Sequence, residues 1–422
     1  MSTNTQFERI AVIGLGYIGL PTAAVFASRG VEVVGVDINQ RAVDTINAGC
    51  VHIVEPDLDN VVRAAVTSGK LRATQFAEPA DAFLIAVPTP FRTSKHGNSR
   101  EPDLTYIHAA AEAIGPLLKK GDLVVLESTS PVGTTEQLSE WLQQARPDLT
   151  FPHLRGDAAD IRVAHCPERV LPGKVLKELV SNDRIIGGLS SACSHAALAL
   201  YKVFVEGECI ITNARTAEMS KLTENAFRDV NIAFANELSM ICDQLKINVW
   251  DLIQLANRHP RVNILNPGPG VGGHCIAVDP WFIVSSCPDQ ARLLSLARNV
   301  NDSKPDYVVK KVLKVAEQFK EPIIACLGLS FKADIDDLRE SPAMRIVGEL
   351  ASRCVGDVVA VEPNIKELPS ALADKGVRLV DLSAALENAN IVVVLVDHRE
   401  FRNLDPSLFS AKAAIDTRGV FA

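Results

Sequence analysis

The chain has 422 residues, with 43 Lys plus Arg against 51 Asp plus Glu and a formal net charge of −8. That acidic balance argues against a nucleic-acid or anionic-membrane surface protein, which carries a basic excess. With 47% hydrophobic and 22% charged residues there is ample apolar surface for large cores, so disorder is excluded as the dominant state.

The length fits two or three domains. Apolar runs such as 391–396 are of strand length, and none approaches the roughly 20 residues of a membrane helix. The polar start of the chain leads directly into a strand, so neither a signal peptide nor membrane insertion is expected. Nine cysteines are dispersed without a C-x-x-C pair. No metal centre or redox dithiol is expected, and a reducing cytoplasm suits such a set.

From residue 8 to about 190, short β-rich runs alternate with helix-length segments. Residues 9–13, 31–36, 82–87, 123–127 and 162–166 read as buried strands, and 21–29, 104–118 and 134–144 as helices. That repetition implies right-handed crossovers and a parallel sheet. Gly14-x-Gly16-x-x-Gly19 follows the first strand and opens a helix, and Asp37 ends the second strand. Gly14 permits a tight turn, Gly16 a close backbone approach to a pyrophosphate, and Gly19 helix-on-strand packing. Tyr17 and Ile18 complete the turn. The helix N-terminus favours phosphate, and Asp37 would bind ribose hydroxyls and repel a 2′-phosphate, so NAD is expected rather than NADP. The loops 86–90, with Thr89, and 128–134, with Thr129, follow the next strands and suit the rim of a cofactor crevice. Ordinary turns capped by Ser or Thr read the same way.

Glu168, in Cys166-Pro167-Glu168-Arg169 after the fifth strand, is an acid/base candidate, although turns share that pattern. Residues 192–254 show helical spacing and few turn signals, so a long helix or helix pair is expected. Lys221, Asn225 and Arg228 share a helix face there. They either point into a site or form a solvated face with Glu224 beside Lys221. Residues 266–273 form a Pro/Gly-rich loop. Cys275 follows three glycines and is expected at the start of a short helix, where the dipole favours a thiolate. Asp279 lies one turn on. Thiol and carboxylate together suit covalent catalysis, and a buried structural cysteine is the alternative. Residues 291–320 read as helix broken near Pro305. After Glu321-Pro322, runs at 323–327, 357–361, 391–396 and 413–416 read as strands of a second α/β domain.

Taken in order, these motifs resemble the UDP-glucose/GDP-mannose dehydrogenase family over essentially the whole chain. The match rests on Gly14–Gly19, Ser128-Thr129 with Pro131 and Gly133-Thr134, Cys166-Pro-Glu168, Lys221 with Asn225, and Gly272-Gly-His-Cys275 with Asp279. It extends through Gly328-Leu-Ser-Phe331-Lys332-Ala-Asp334 and Asp337-Leu-Arg339-Glu-Ser-Pro342. The resemblance implies an α/β chain with a Rossmann-type NAD domain at 1–195. A central helical dimerisation segment at 196–305 would carry the catalytic Lys and Cys. A Rossmann-like UDP-sugar domain would occupy 320–422. The stretches 227–237, 259–264, 271–275 and 277–282 look like the branch that oxidises UDP-N-acetyl-D-mannosamine for bacterial surface polysaccharides.

The implied reaction takes a sugar's sixth-carbon alcohol to a carboxylate with two NAD, through a thiohemiacetal and a thioester on Cys275. Lys221 would move protons, Asn225 would bind the developing oxyanion, and Thr129, Glu168 and Asp279 would position water. Arg169, Val170, Arg228, His259, Arg261, Gly272, Phe331, Lys332 and Arg418, with Lys221 and Asn225, would hold substrate. Arg339 would meet NAD. In a homodimer, Arg261 or His259 would reach the partner's site. Rival readings are another nucleotide sugar (UDP-N-acetylglucosamine, UDP-glucose or GDP-mannose), a two-electron β-hydroxyacid-type dehydrogenase, and a non-enzymatic nucleotide-binding regulator.

Overall fold

The computed structural model describes residues 7–92, 100–171, 173–273, 275–353, 356–409 and 412–421. His274 and Cys354 lie outside them. The chain divides into two compact units, and the division falls between Thr223 and Glu224, inside one helix of 32 residues, Ala214–Leu245.

The first unit is built on β1 (Arg9–Ile13), β2 (Glu32–Val36), β3 (Leu71–Thr74), β4 (Ala82–Ile85), β5 (Leu123–Leu126), β6 (Arg162–His165), β7 (Arg184–Gly188) and β8 (Cys209–Asn213). They form one sheet in the order β3-β2-β1-β4-β5-β6-β7-β8. All neighbours run parallel except β6 and β7. Alternate residues of one strand serve opposite cores: Ile10 and Val12 join one cluster, Ala11 and Ile13 the other. A strand buried on both faces must be apolar throughout, which is why these runs read so clearly. The order reverses at β1/β4, so the crevice for a ligand lies beyond the carboxyl ends of those strands.

The second unit carries β9 (Ile323–Leu327), β10 (Asp357–Val361), β11 (Arg378–Leu379), β12 (Ile391–Val394) and β13 (Ala413–Asp416), all parallel, in the order β11-β10-β9-β12-β13. Again one strand feeds two cores, with Ile324 and Cys326 on one face and Ala325 and Leu327 on the other. The fold is the expected mixed α/β arrangement, with one sheet parallel throughout and the other parallel except at β6/β7.

Two expectations need correction. The stretch 192–254 is not helical throughout: helix Ser191–Tyr201 is followed by β8, and only then by the long helix. The run Cys209-Ile-Ile-Thr is β-branched and pairs with β7, which overrides the helical spacing around it. The helix over 291–320 does not break at Pro305; Arg292–Ala316 runs through it. Pro305 is buried, and its ring lies beside Gly270, where a Cβ would come within 3.2 Å of it. The lost helical hydrogen bond is accepted in return for that packing.

At the end of β10, Glu362 accepts hydrogen bonds from Leu329 N (2.7 Å), Ser330 N (3.0 Å) and His398 Nε2 (3.0 Å). Burial alone would raise this carboxyl; His398 and the backbone N–H groups outweigh it and hold it down at about 2. A carboxyl depressed on folding stabilises above its unfolded pKa and loses that contribution as pH falls through the folded one. The expected outcome is a thermal melting temperature that falls from about pH 5 toward about pH 2. In Glu362→Gln that acid slope flattens, and the protein melts lower at neutral pH.

Candidate active site

In the first unit the glycine turn is set by close approach. Gly14 has φ +92°, and a Cβ there would lie 2.6 Å from the Ala86 carbonyl oxygen; one on Gly19 would lie 1.8 Å from the Gly14 oxygen. Gly16 instead faces open space, with nothing within 4 Å of a built Cβ. Beside it, Tyr17 is exposed and Ile18 half-buried at the start of helix Gly19–Ser28. Asp37 accepts from Leu15 N (3.0 Å) and Asn39 N (2.9 Å), which fixes its carboxylate at the mouth of the turn. Thr89 Oγ1 donates to the Thr129 carbonyl (2.6 Å), tying together the loops that follow β4 and β5. An unobstructed glycine amide, a helix N-terminus and an acidic ribose acceptor fit a bound NAD.

Glu168 is buried just beyond β6. One oxygen accepts from Arg169 N (2.7 Å) and the other from Arg184 Nη2 (2.8 Å). Val170 is half-buried. In the same unit Glu218 accepts from Gly133 N (2.6 Å), Thr135 N (2.8 Å) and Thr135 Oγ1 (2.6 Å). The long helix is therefore clamped at its start to the N-terminus of helix Thr134–Ala145, and burial still raises the Glu218 carboxyl. Lys221 follows three residues later, half-buried.

In the second unit the loop before Cys275 is held from two sides. Gly272 and Gly273 lie against the 331–342 segment. A Cβ on Gly272 would meet the Glu340 oxygen at 2.4 Å, and one on Gly273 (φ +83°) would meet the Phe331 ring at 2.9 Å. From the other side the long helix offers three asparagines. Asn225 Nδ2 donates to Asp279 Oδ2 (2.5 Å), Asn231 Oδ1 accepts from Leu265 N (3.0 Å), and Asn236 Oδ1 accepts from Gly268 N (2.8 Å). Behind them Arg298 Nη1 binds Asp229 (2.6 Å), and Asn301 bridges Asp229 and Asn236. Cys275 is exposed, and its carbonyl accepts from Asp279 N (2.8 Å), the first residue of helix Asp279–Ser286. The cysteine thus precedes that helix by one turn, while Asp279 is buried.

Of the other expected residues, Arg418 is anchored on Asp397 (Nε to Oδ1, 2.8 Å) and lies against Gly268. Arg339 is exposed and paired with Asp337 (2.6 Å), and Lys332 is exposed. Arg228, His259 and Arg261 are exposed. Among the described residues the guanidinium groups of Arg228 and Arg261 make no hydrogen bond or ion pair. A cleft in this unit is lined by Trp250, Gly268, Lys304, Tyr307 and Thr417 among others. Burial lowers Lys304 there to about 8. Sequence reasoning missed Arg184, Glu218, Asn236, Asp229 and Arg298. No motif in the sequence marks the contacts they make.

Comparison with known proteins gives consistent matches. Residues 8–205 match the NAD binding domain of the UDP-glucose/GDP-mannose dehydrogenase family, 215–303 its central domain, and 325–422 its UDP binding domain. The chain is 67% identical over 417 residues to the NDP-N-acetyl-D-galactosaminuronic acid dehydrogenase of Ralstonia nicotianae, covering 99% of this chain and 97% of that one. It is 63% identical to the UDP-N-acetyl-D-mannosamine dehydrogenase of Campylobacter jejuni, covering 94% and 97%. The solved UDP-N-acetyl-mannosamine dehydrogenase of Staphylococcus aureus superposes with a TM-score of 0.85 at 43% identity, covering 98% and 95%.

The Asn225–Asp279 bond is buried and joins the long helix to helix Asp279–Ser286. Asn225→Ala, which removes that donor, is expected to lower the unfolding free energy by about 1–3 kcal/mol in urea titrations. Asn225→Asp should cost more, because it sets a second carboxyl against Asp279.

Proposed function

The chain belongs to the UDP-glucose/GDP-mannose dehydrogenase family, and from that premise we propose that it oxidises UDP-N-acetyl-D-mannosamine to UDP-N-acetyl-D-mannosaminuronate. The observation that carries this reading is Cys275, exposed on a glycine loop pressed against Phe331 and followed by the buried Asn225–Asp279 bond. A two-electron dehydrogenase has no use for a nucleophile so prepared, and neither has a nucleotide-binding regulator.

Bound NAD supplies the two-electron acceptor in each of two oxidations. Lys221 removes the proton of the sixth-carbon hydroxyl, and Asn225 donates to the oxygen as charge develops there. Loss of a hydride from the sixth carbon leaves an aldehyde, whose carbon Cys275 Sγ attacks to form a thiohemiacetal; that becomes a thioester when the same carbon gives up a second hydride and its hydroxyl a proton. Water, oriented by Thr129, Glu168 and Asp279, releases the carboxylate and returns the thiolate. Asp37 and the Gly14–Gly19 turn hold the cofactor, with Tyr17, Ile18, Thr89 and Arg339. Arg169, Val170, Arg228, His259, Arg261, Gly272, Phe331, Lys332 and Arg418 hold substrate. The segments 1–195, 196–305 and 320–422 divide cofactor binding, dimerisation and UDP-sugar binding among them.

The setting we propose is the cytoplasm, with the product destined for a surface polysaccharide of the enterobacterial common antigen type. Consistent with a reducing compartment, the described cysteines form no disulfide. No helix of the described residues is long and apolar enough to cross a membrane. The assembly we propose is a homodimer. Phe227, Phe234, Ile241 and Leu245 are 68%, 52%, 44% and 61% exposed along the long helix. Their heptad spacing makes an apolar seam suited to the same helix of a second copy. Arg261 or His259 would then reach the partner's site.

A second reading is favoured by the Ralstonia relative: a nucleotide-linked N-acetyl-D-galactosamine, which differs in configuration at the second and fourth carbons and undergoes identical chemistry at the sixth. The test is NADH formed per sugar consumed, with each of the two sugars, for the parent and Cys275→Ser. Two NADH per UDP-N-acetylmannosamine, lost in the variant, is the expected result. One NADH per sugar overturns the four-electron mechanism, and a higher kcat/KM on the galactosamine nucleotide overturns the substrate assignment. Separately, Phe234→Asp with Leu245→Asp should convert a dimer into a monomer in sedimentation equilibrium.

A further inference from the structure

One buried cation in the first unit serves two buried carboxylates. Arg184, at the first position of β7, is 4% exposed. Its Nη2 donates to Glu168 Oε2 at 2.8 Å, and its Nη1 stands 3.6 Å from Glu127 Oε1. The guanidinium lies over the Tyr201 ring, 4.4 Å from its centroid, and Tyr201 Oη donates to that same Glu127 oxygen (2.6 Å). Cys166, buried, completes the surroundings with Cys209 nearby. Four elements meet here: the ends of β5 and β6, the start of β7 and the helix Ser191–Tyr201.

We propose that Arg184 is the positioning residue for Glu168, fixing one carboxylate oxygen while the Arg169 N–H fixes the other, so that the remaining lone pairs are aimed at the water that releases the product. This rests on the reading that Glu168 orients a hydrolytic water.

Three observations favour that role over a merely structural ion pair. First, the cluster is under-satisfied. Glu127 Oε2 and Arg184 Nη1 make no hydrogen bond among the described residues. Buried charge kept at such a cost adds little stability over apolar packing of the same shape, and unsatisfied buried groups concentrate where function holds them. Second, the two carboxylates are not equivalent. Burial pushes Glu127 up to about 7, with Arg184 opposing and Glu168 adding to the rise. The geometry agrees: Glu168 takes a direct bond of 2.8 Å from Arg184, whereas Glu127 stands 3.6 Å from the guanidinium and takes the Tyr201 hydroxyl instead. Third, the guanidinium lies over the Tyr201 ring, and Tyr201 is tied in turn to Glu127. A side chain with so little rotational freedom transmits a fixed direction to the carboxylate it binds.

The consequence is kinetic. A misaimed Glu168 slows the release of the thioester and leaves nucleotide and sugar binding alone. Rapid mixing of enzyme, NAD and UDP-N-acetylmannosamine should show, for Arg184→Met, a burst of two NADH per active site and then a steady rate about 100-fold below the parent. Because the slowed step follows formation of the thioester, KM should fall with kcat, and kcat/KM for both substrates should stay within about threefold of the parent. Arg184→Lys keeps a cation with one bond to give; it should show the same burst with a steady rate between the two, so the inference stays testable if the Met variant does not fold.

A lysine variant with the parent's rate and no burst overturns the proposal. So does a loss of activity that falls in step with burst amplitude or with NAD affinity, because that is misfolding. If the parent itself yields one NADH per sugar, the functional reading fails instead, and the two failures are told apart by that control.

Discussion

Both sheets depend on one constraint: the chain must turn back over the end of its first strand without a side chain in the way. In the first unit Gly14 (φ +92°) donates to the Val36 carbonyl at 2.8 Å, and the next amide, Leu15, donates to Asp37. In the second unit Gly328 (φ +94°) donates to the Val361 carbonyl at 2.8 Å, and the next amide, Leu329, donates to Glu362. Glycine, first strand, second strand and acidic residue recur in the same relation. A Cβ on Gly328 would lie 2.4 Å from Val396 Cβ, so this turn is as sterically committed as the first.

The two units part company just beyond the turn. After Gly14 the helix begins within a few residues, at Gly19, and its N-terminal amides stand at the crevice. After Gly328 the chain runs on to Ser341 before its helix begins at Pro342. The acidic residue differs as well. Asp37 is half-buried and bound by local backbone, whereas Glu362 is buried and taken by His398 and two amides. A carboxylate spent on an internal histidine is not available to a ribose. The same backbone turn therefore serves a dinucleotide in one unit. In the other it supports a long loop whose Phe331 packs on the glycines before Cys275.

Much of this was legible in the sequence, because the apolar core strands and the glycine turn are local signals. The strands β1, β9, β10 and β13 appear at the residues their apolar runs mark. The strands β3, β7, β8 and β11 escaped notice. In β3, Leu71-Arg-Ala-Thr is exposed at alternate positions, and β8 is an edge strand half-open to solvent. Neither presents the continuous buried run that marks the core strands. Pro305 misled for the opposite reason, since a local rule was overridden by packing against a glycine far along the chain. Cys275, Asp279, Asn225 and Glu168 stand out in the sequence as candidates. The groups that hold them were not, since Arg184 meets Glu168 across 16 residues, and Asn225 meets Asp279 across 54.

Those long-range polar pairs explain why the site residues can sit on loops at all. A loop is defined by what fixes it, and here the fixing groups come from regular elements: β7 for Glu168, and the long helix for Leu265, Gly268 and Asp279. Each such bond is buried or half-buried, where a polar group without a partner is costly. The asparagines of the long helix use this well. Asn236 donates to Asn301 of a neighbouring helix and accepts from the Gly268 amide, so displacing the loop would leave the Asn236 oxygen and the Gly268 N–H unmet. The penalty for moving is larger than the net gain from forming the bond, which is the asymmetry that makes buried hydrogen bonds good at specifying position and poor at adding stability. A glycine loop, which has no side chains of its own to hold it, needs that kind of restraint more than any other segment of the chain.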